Sequence, residues 1–461
     1  MRSPSPVGTK TDAIELVQTS LEAVNLDLAG SEAKSPLQEL LDLCGQPSAP
    51  DFSAFLSTHV FGLAEQHALG HHFEEGQSER DVTTGSNGFR KVGEASYSEV
   101  YALIDSPTRE TGLVVKVIPL IEQAKPASSD GGNDEDEADE EVACSLVADV
   151  KREIEITRLM SGMAEGFVRC HGAYVVRGSY PEVLLDAWDE FEDQRGSDSV
   201  RPGDLPEIQL YALIVLENAG VDLESFEFDK TTGWKQAWGA VMQVVKTLAE
   251  GEVKARFEHR DLHEGQVLLR PVETSAHDDP ADAAHPAFIG YKATMVDFGL
   301  SRVDHPVMGD QDPYFTPIPE DVFSGVGDQW DVYRAIRDLV DDESDGDWAG
   351  HLPRTNLMWL RHLARVLLHS TRSLKRPRAK PAVKGTTRKP VAAAVSVKPP
   401  ENVIYYEKLV DFERTLAEVL EGPTTRPRTR QKRTAKGVAT GGTKMTTMVE
   451  FAELMRTKEW I

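Results

Sequence analysis

Cysteine is scarce in this sequence, with three residues among 461. Such scattered thiols cannot build a disulfide framework or a zinc cluster, so we expect a protein of a reducing compartment. Long apolar runs are also missing, because no stretch reaches the roughly 18 residues that a membrane-spanning helix needs. The N-terminal residues lack the charged-then-apolar pattern of a secretion signal. We therefore expect no membrane partner.

Positive charge is in deficit as well, since 50 Lys and Arg residues stand against 76 Asp and Glu residues and give a formal net charge of −26. This excess of negative charge argues against a general nucleic-acid binder and is compatible with a basic protein substrate. The simpler interpretation is that the acidic residues solvate disordered tracts. Charge alone leaves both interpretations open.

Three biased segments interrupt the chain. The acidic segment 126–143 and the Lys/Arg/Pro-rich segments 372–400 and 423–445 hold too few apolar residues for a core, and we predict disordered inserts. The two basic segments could contact chromatin or serve as signals for nuclear import. Residues 1–85 are predicted to be partly helical or disordered, either packed on the main domain or free for a partner. The chain is thus divided into 1–85, 86–217 and 218–461.

Two short motifs carry the strongest chemical signal. His-Arg-Asp at 259–261 follows a helical apolar pattern, and Asp-Phe-Gly at 297–299 follows a strand-like run. Either tripeptide alone is weak, but in this order and spacing they form the catalytic core of protein kinases. Asp261 is then expected to accept the proton of an acceptor hydroxyl, Asp297 to bind Mg²⁺, and Arg260 to support the loop electrostatically.

A strand–turn–strand pattern follows the N-terminal extension, with Gly93 at its bend and Val100 on its second strand. In kinases such a hairpin covers the phosphates of ATP, although an ordinary hairpin is the alternative. The next apolar strand contains a single lysine, Lys116, whose burial is costly unless it is paired. Lys116 is therefore a candidate to hold the α- and β-phosphates, paired with Glu153 or Glu155. Of the two we favour Glu153.

Further nucleotide and metal contacts are predicted around these motifs. Glu217 ends a buried strand at the expected hinge, where backbone groups would meet the adenine. Asp222 could bind the ribose hydroxyls or a basic substrate side chain, or it could be the N-cap of a helix. His263 is assigned to the nucleotide site. Gln266 stands where kinases carry an asparagine for a second Mg²⁺, and Asp331 is predicted to hold the backbone of the catalytic loop.

The remaining patterns suggest mixed secondary structure. Residues 165–191 are predicted as strands joined by a turn, and 232–259 as one long helix with a buried, tryptophan-bearing face. An amphipathic helix is predicted over 351–369.

Seven segments occur in the order and spacing of haspin-type kinases: FRKVGEASYSEVY, GFVRCHGAYVVRGSYP, LLDAWDEF, FEHRDLHEGQVLL, DFGLSR, DVFSGVGDQWDVYR and TNLMWLRHL. Over roughly residues 88–461 the sequence resembles these atypical serine/threonine kinases, and it looks like a fungal member. The resemblance implies an α+β fold with a small, mostly β N-lobe and a larger, mostly α C-lobe. It also implies use of ATP and Mg²⁺, a Lys116–Glu153 ion pair, and the roles given above for Asp261 and Asp297.

The resemblance further implies a biological setting. The substrate would be a threonine near the N-terminus of histone H3, phosphorylated during mitosis on chromosomes in the nucleus. We expect the chain to act as a monomer.

The sequence departs from the family at several positions. Ala95 and Ser98 stand where glycines are usual in the hairpin, Glu264 replaces a tryptophan, and Gln266 replaces the metal-binding asparagine. Conversely, this chain has an ordinary Asp-Phe-Gly, where family members generally carry a variant.

Two alternatives remain open at the level of sequence. A nucleotide-binding pseudokinase acting as a chromatin scaffold is suggested by Gln266 and by the loss of hairpin glycines. A small-molecule phosphotransferase of the aminoglycoside or choline kinase type is suggested by the related His-x-Asp-Leu-His pattern. Arg260 and the Asp-Phe-Gly motif argue against the second alternative.

Overall fold

The described part of the chain comprises two lobes. The computed structural model describes residues 34–63, 88–95, 98–106, 109–123, 143–273, 281–305, 312–377, 399–421, 447–458 and 460. The acidic insert predicted at 126–143, apart from residue 143, and the basic insert predicted at 423–445 lie outside these residues.

A six-stranded sheet forms the small lobe. Its strands are β1 Gly88–Ala95, β2 Ser98–Ser106, β3 Arg109–Ile121, β4 Ser145–Leu146, β5 Cys170–Arg177 and β6 Leu210–Glu217. They run in the order β1-β2-β3-β6-β5, and β4 pairs with β3. The central strand β3 is rich in β-branched residues because both of its faces are covered, a pattern typical of buried strands. Its register places Lys116 opposite Val100 on one side and Ile214 on the other.

The N-terminal segment belongs to this lobe. It forms α1, Pro36–Leu43, and α2, Phe52–Phe55, which continues as a π-helical turn over Leu56–Val60. The fully buried Leu40 packs in the apolar cluster on one face of the sheet, and Phe52 packs in the cluster on the other face. Of the two arrangements predicted for the extension, the described residues therefore adopt the packed one. The histidine-rich residues 66–76 lie outside the described part.

Two longer helices complete the small lobe, α3 at Val147–Ser161 and α4 at Glu182–Arg195. The prediction of strands over 165–191 is correct for β5 but wrong for α4. The apolar residues of α4 that become buried, Leu184, Leu185 and Trp188, follow a helical spacing that the surrounding strand signals obscured. The helix starts directly after Pro181, whose fixed φ suits a helix N-terminus.

The large lobe is mostly helical. Its helices are α5 Gly233–Ala255, α6 Asp328–Ser344, α7 Arg354–His369, α8 Glu401–Glu421 and α9 Met448–Thr457. The strands are β7 Val221–Asp222, β8 Val267–Pro271 and β9 Tyr291–Met295, with a small ribbon of β10 Arg302–Val303 and β11 Tyr314–Phe315. Short 3₁₀ turns occupy Pro202–Asp204, Glu264–Gln266, Pro286–Phe288 and Glu320–Ser324. The predicted two-lobed α+β fold is confirmed.

Helix α5 is the core of this lobe, and Trp234 and Trp238 on it are almost completely buried. It ends before the predicted residue 259 because Arg256 adopts a left-handed backbone with φ 47°. The chain can then turn into the catalytic motif. Among the described helices, none combines the length and apolar character that crossing a membrane requires.

The start of the predicted basic insert 372–400 is ordered against the lobe, which corrects that boundary. The indole nitrogen of Trp234 donates to the carbonyl oxygen of Lys375 at 3.0 Å, and the backbone N–H of Phe228 donates to Ser373 Oγ at 3.2 Å. Leu374 packs against the large-lobe core. One leucine and these two hydrogen bonds hold a segment whose composition resembled a linker. Residues 378–398 lie outside the described part.

Candidate active site

A cleft of about 1060 Å³ lies between the two lobes. It is lined by residues from both lobes, and the set includes every nucleotide and metal contact predicted from the sequence: Gly93, Val100, Lys116, Glu153, Glu217, Asp222, His263, Gln266 and Asp297. The catalytic candidates Asp261 and Arg260 do not line this cavity. The structure therefore gathers residues scattered over some two hundred positions into one site.

Lys116 lies at the centre of the cleft. Its ammonium nitrogen is 2.7 Å from Glu153 Oε1 and 3.1 Å from Asp297 Oδ2. Burial disfavours the ammonium, but the two carboxylates outweigh this effect and raise the pKa of Lys116. Burial likewise would raise the pKa of Asp297, but the adjacent ammonium dominates and lowers it. Lys116, Glu153 and Asp297, hereafter the Lys116 cluster, carry one positive and two negative charges.

The choice between the two glutamates of α3 is settled by this geometry. Glu153 faces the cleft and is buried, whereas Glu155 lies 3.7 Å from Lys151 on its own helix. The predicted ion pair between Lys116 and Glu153 is present. Glu155 contributes to an i, i+4 pair instead.

Asp297 is held in an uncommon backbone conformation, with φ 59°. A non-glycine residue pays for this left-handed geometry, and the surrounding contacts must maintain it. The fully buried Phe298 packs edge-on against Phe167 and Phe257, and the backbone N–H of Gly299 donates to Asp297 Oδ1 at 3.3 Å. These contacts direct the Asp297 carboxylate towards Lys116.

Asp261 lies close enough to the Lys116 cluster for Asp297 and Lys116 to change its pKa. Burial is the main cause that raises its pKa to about 6, and Asp297 raises it further while Lys116 opposes the rise. The phenol of Tyr333 on α6 donates a hydrogen bond to Asp261 Oδ1. This contact favours the ionised carboxylate and leaves Oδ2 for another proton donor. An aspartate with a pKa near 6 is suited to accept a proton near neutral pH.

Arg260 supports the loop from beneath rather than facing the cleft. It has φ 63° and is completely buried, and its Nε lies 3.1 Å from Glu258 Oε2. Its two terminal nitrogens donate to the carbonyl oxygens of Trp348 and Gly350 at 2.8 and 3.0 Å. The predicted electrostatic support is thus present as a buried ion pair. Arg260 holds the backbone next to Asp261 and is a positioning residue.

The prediction that Asp331 holds the catalytic loop is wrong, because its side chain is 71% exposed and pairs with Arg334. Asn356 on α7 performs this task instead. Its Oδ1 accepts from the backbone N–H of His259 at 3.1 Å, and its Nδ2 donates to the carbonyl oxygen of Phe257 at 2.9 Å.

Sequence reasoning missed Asn356 and Tyr333, although one signal was present. Thr355 and Asn356 begin the apolar face of an amphipathic helix, and both are fully buried. Buried polar side chains require partners, which here lie in the catalytic loop. No comparable signal identified Tyr333.

His263 and Gln266 form the floor of the cleft next to Asp297. The backbone N–H of Gly265 donates to His263 Nδ1 at 3.1 Å, so a neutral imidazole carries its proton on Nε2. That nitrogen lies 3.1 Å from the amide nitrogen of Gln266, and because two N–H groups cannot bond to each other, we assign the flipped amide, with its oxygen accepting from His263. A carbonyl oxygen with two lone pairs can accept from His263 and still face a cation.

The donor set fits Mg²⁺ held mainly by phosphate. In the part of the chain that the structure describes, there is no cluster of three or more His, Cys, Asp or Glu side chains that could enclose a metal. Mg²⁺ usually takes one or two carboxylates and completes its shell with water and substrate phosphates. Asp297 provides the carboxylate, and the Gln266 oxygen is a second candidate ligand.

The two predicted nucleotide contacts at the hinge are both engaged in the protein. The backbone N–H of Glu217 donates to the carbonyl oxygen of Arg169 at 2.9 Å, and the Glu217 carboxylate lies 2.6 Å from the guanidinium of Arg270. Ala219 lines the same wall, and the backbone contact of Glu217 with the adenine stays a prediction. Asp222 Oδ1 accepts from the backbone N–H of Ser225 at 2.7 Å within a turn, and because no helix begins there, the predicted helix N-cap is wrong. Its carboxylate also borders the cleft.

Glu264, which replaces the expected tryptophan, has a partner on α7. Its Oε2 lies 3.1 Å from Nε2 of the buried His362. Burial would raise the pKa of Glu264, but the hydrogen bond with His362, a backbone hydrogen bond and the two nearby imidazoles together outweigh burial and lower it. The substitution is therefore accommodated as a polar contact between the catalytic loop and α7.

Comparison with known proteins agrees with this geometry. The sequence model of the family described as haspin-like kinase domain matches residues 24–394 of this chain. This match starts earlier than the resemblance predicted from residue 88, in agreement with the packing of α1 and α2 on the small lobe. It also ends before the last two helices.

Named relatives give the same result. The serine/threonine-protein kinase haspin homolog hrk1 of Schizosaccharomyces pombe is 30% identical over 393 residues, which cover 79% of this chain and 68% of that protein. The Bos taurus kinase haspin is 29% identical over 302 residues, covering 62% of this chain and 36% of its own length. The serine/threonine-protein kinase haspin homolog of Arabidopsis thaliana is 29% identical over 289 residues, which cover 60% of this chain and 44% of that protein. The chain thus spans less than half the length of the Bos taurus and Arabidopsis thaliana proteins.

The cleft with its lysine–glutamate pair, the two aspartates of the ordered motifs and the match over most of the sequence agree, and the chain belongs to the haspin-like family of protein kinases.

Proposed function

We propose that this chain transfers the γ-phosphoryl group of ATP to a threonine near the N-terminus of histone H3 during mitosis. The observation that carries the proposal is the Lys116 cluster, which lies in a nucleotide-sized cleft beside Asp261. Family membership and the net charge of −26, which suits a basic tail, support the choice of substrate.

The residues of the cleft divide the work between binding and proton transfer. Lys116, fixed by Glu153, holds the α- and β-phosphates, and Asp297 binds Mg²⁺. The bound metal neutralises charge on the phosphates. Asp261 orients the threonine hydroxyl and accepts its proton through Oδ2, because Tyr333 occupies Oδ1. Arg260 and Asn356 keep the catalytic backbone in place, so positioning and electrostatics provide most of the rate.

We also propose that the chain acts as a monomer in the nucleus, on chromosomes. The basic segments 372–400 and 423–445 would contact chromatin through their lysine and arginine residues. Both ideas rest on composition and on family resemblance.

The test is transfer of radiolabel from ATP, with Mg²⁺, to a peptide of the histone H3 N-terminus. We expect label in the native peptide and none in a peptide whose N-terminal threonine is alanine. Asp261→Asn should lower the rate about 10²–10⁴-fold, the usual contribution of a positioned base. Absence of transfer by the native chain, or transfer that survives Asp261→Asn, would contradict the proposal.

The scaffold alternative rests on Gln266 in the place of the metal-binding asparagine and on the missing hairpin glycines, since the contact with His263 leaves the Gln266 oxygen able to face a cation. It predicts that the native chain transfers no label and that Gln266→Asn restores transfer. Equal or greater activity of the native chain excludes it. The small-molecule alternative gains nothing from the comparisons, because the three relatives are all named as protein kinases or their homologs.

A further inference from the structure

A second buried lysine lies on β1, within the hairpin that borders the cleft. The side chain of Lys91 is 0% exposed, and its ammonium nitrogen lies 2.6 Å from Glu94 Oε2 and 2.7 Å from Glu99 Oε2. Burying an ammonium is costly unless it is fully paired. The proposed catalytic mechanism gives this lysine no role.

A β-bulge explains why these three side chains meet. The register pairs Lys91 with Tyr101 and Gly93 with Val100, so one extra residue is inserted between them. The insertion brings Lys91 and Glu94 to the same face of the hairpin, where Glu94 lies directly opposite Glu99. Two glutamates in opposed positions repel each other. Lys91 removes this repulsion and holds the two strands together.

The segment that follows α4 completes the group. Lys91 Nζ donates to the hydroxyls of Ser197 and Ser199 at 3.1 and 3.2 Å. The Ser199 hydroxyl donates to Glu99 Oε1 at 2.6 Å, and the Ser197 hydroxyl donates to Glu94 Oε2 at 2.6 Å. We call Lys91, Glu94, Glu99, Ser197 and Ser199 the Lys91 cluster.

Helix α4 itself also contacts the lysine. The rings of Trp188 and Phe191 lie 4.9 and 4.7 Å from its ammonium nitrogen, within cation–π range. The indole nitrogen of Trp188 donates to Ser199 Oγ at 3.3 Å, and the backbone N–H of Asp198 donates to Glu94 Oε1 at 2.7 Å. The hairpin is thus fixed to α4 and to the segment after it by charge-assisted hydrogen bonds.

Lys91 and Glu94 are among the residues that line the cleft, and the opposite face of the same hairpin is directed to Lys116. Gly93 and Val100 form a cross-strand pair there, and Val100 is opposite Lys116. A hairpin with several glycines adapts to the phosphates through backbone freedom, whereas this one has Ala95 and Ser98 at two of those positions. Its geometry must therefore be set in advance by contacts.

We propose that Lys91 is a positioning residue that fixes the hairpin over the phosphates of bound ATP, through the Ser197–Ser199 segment and α4. The inference rests on the proposed function, since it assumes that ATP binds in the cleft. Because the hairpin meets the phosphates and not the adenine, the Lys91 cluster determines affinity for the triphosphate and leaves affinity for the nucleoside unchanged.

The test measures binding of Mg·ATP and of adenosine to the full chain by calorimetry. The variants are Lys91→Met, which keeps the aliphatic stem, and Ser199→Ala, which removes one shared hydroxyl without leaving a buried charge unpaired. Ser199→Thr restores the hydroxyl. Arg201→Met is the matched control, because it breaks an exposed pair with Asp189 of α4 outside the cluster.

We expect Lys91→Met and Ser199→Ala to weaken Mg·ATP binding about tenfold, as loss of charge-assisted hydrogen bonds would. Adenosine binding should stay within about twofold, and Ser199→Thr and Arg201→Met should match the native chain. If Lys91→Met does not fold, Ser199→Ala decides. Equal weakening of ATP and adenosine, or no change in either, overturns the inference. A native chain that binds adenosine but gains nothing from the triphosphate contradicts the proposed function instead.

Discussion

Two lysines of the small lobe, Lys116 and Lys91, each lie between two carboxylates, yet their surroundings differ. Both lysines line the cleft, but Lys116, which contacts Glu153 and Asp297, keeps 11% of its side chain exposed, and the Asp297 side chain is 22% exposed. Lys91 contacts Glu94 and Glu99 and is enclosed by two serine hydroxyls and two aromatic rings. Both clusters carry one positive and two negative charges.

The difference shows what distinguishes a ligand site from a structural contact. Around Lys91 the protein itself supplies the hydrogen bonds and the ring faces that an ammonium prefers. The Lys116 cluster keeps a net negative charge next to open space, which a metal ion bound to phosphates can compensate. The composition of charges is the same, so only the neighbouring groups reveal which cluster is expected to meet a substrate.

Among the variants that test this comparison, removal of the cleft ammonium should have the largest effect. Lys116→Met should lower kcat/KM for peptide phosphorylation about 10²–10³-fold, the range for a lost electrostatic stabiliser of developing charge. Steady-state kinetics with varied ATP measure it. Near-normal activity of this variant would contradict the claim that the Lys116 cluster, unlike the Lys91 cluster, takes part in catalysis.

The two neighbouring glutamates of α3 sharpen this contrast. Glu153→Gln should reduce activity about tenfold to a hundredfold, because Lys116 loses the partner that orients it. Glu155→Gln is the matched control, since this partly buried residue pairs with Lys151 on its own helix and does not line the cleft, and its activity should stay within about twofold of the native chain. Similar losses in both variants would show that the helix, not the ion pair, is responsible.

The buried Glu258–Arg260 pair extends the comparison to the large lobe. Glu258 also accepts from the backbone N–H of Leu352 at 2.7 Å and from Thr355 at 3.0 Å, so its pairing is complete. Glu258→Gln leaves Arg260 buried with a weaker partner, and we expect a loss of about 3 kcal/mol in the free energy of unfolding.

Denaturant unfolding checks this loss of stability. Arg365→Met breaks an exposed pair and should change stability by less than about 1 kcal/mol. Equal effects of the two variants would contradict the assignment of Glu258 to structure.

The smallest expected effect concerns pH. Because Asp261 must be ionised to accept a proton and its pKa is about 6, activity should fall as pH drops through 6. The Tyr333 hydroxyl favours the ionised form, so Tyr333→Phe should move this limb to higher pH by about half a unit to one unit. A pH profile of kcat/KM tests this, and an unchanged or downward shift would rule out the contact.

Much of the site followed from the sequence because its parts are local. The two aspartate motifs follow an apolar helix and an apolar strand, and a lone lysine in a buried strand required a carboxylate partner. Asp331 and Asn356 were different, since holding the catalytic loop depends on packing of helices about a hundred positions away. The contacts of Tyr333 and Lys91 also depend on tertiary placement.

The prediction of local structure from the sequence failed where two sequence signals competed. Helix α4 follows strand β5 closely, and its short apolar stripe was absorbed into the strand prediction. Residues 372–377 looked like a linker because lysine and proline dominate their neighbours, although Leu374 reaches the core. In both cases a few buried residues decided the structure against the average composition.

The central claim is that Asp297, next to Lys116, binds the metal of Mg·ATP. Its most direct test is ATP binding with and without Mg²⁺ to the native chain and to Asp297→Asn. We predict that Mg²⁺ strengthens ATP binding by at least about tenfold in the native chain and has little effect in the variant. The same dependence on Mg²⁺ in both proteins would contradict the account.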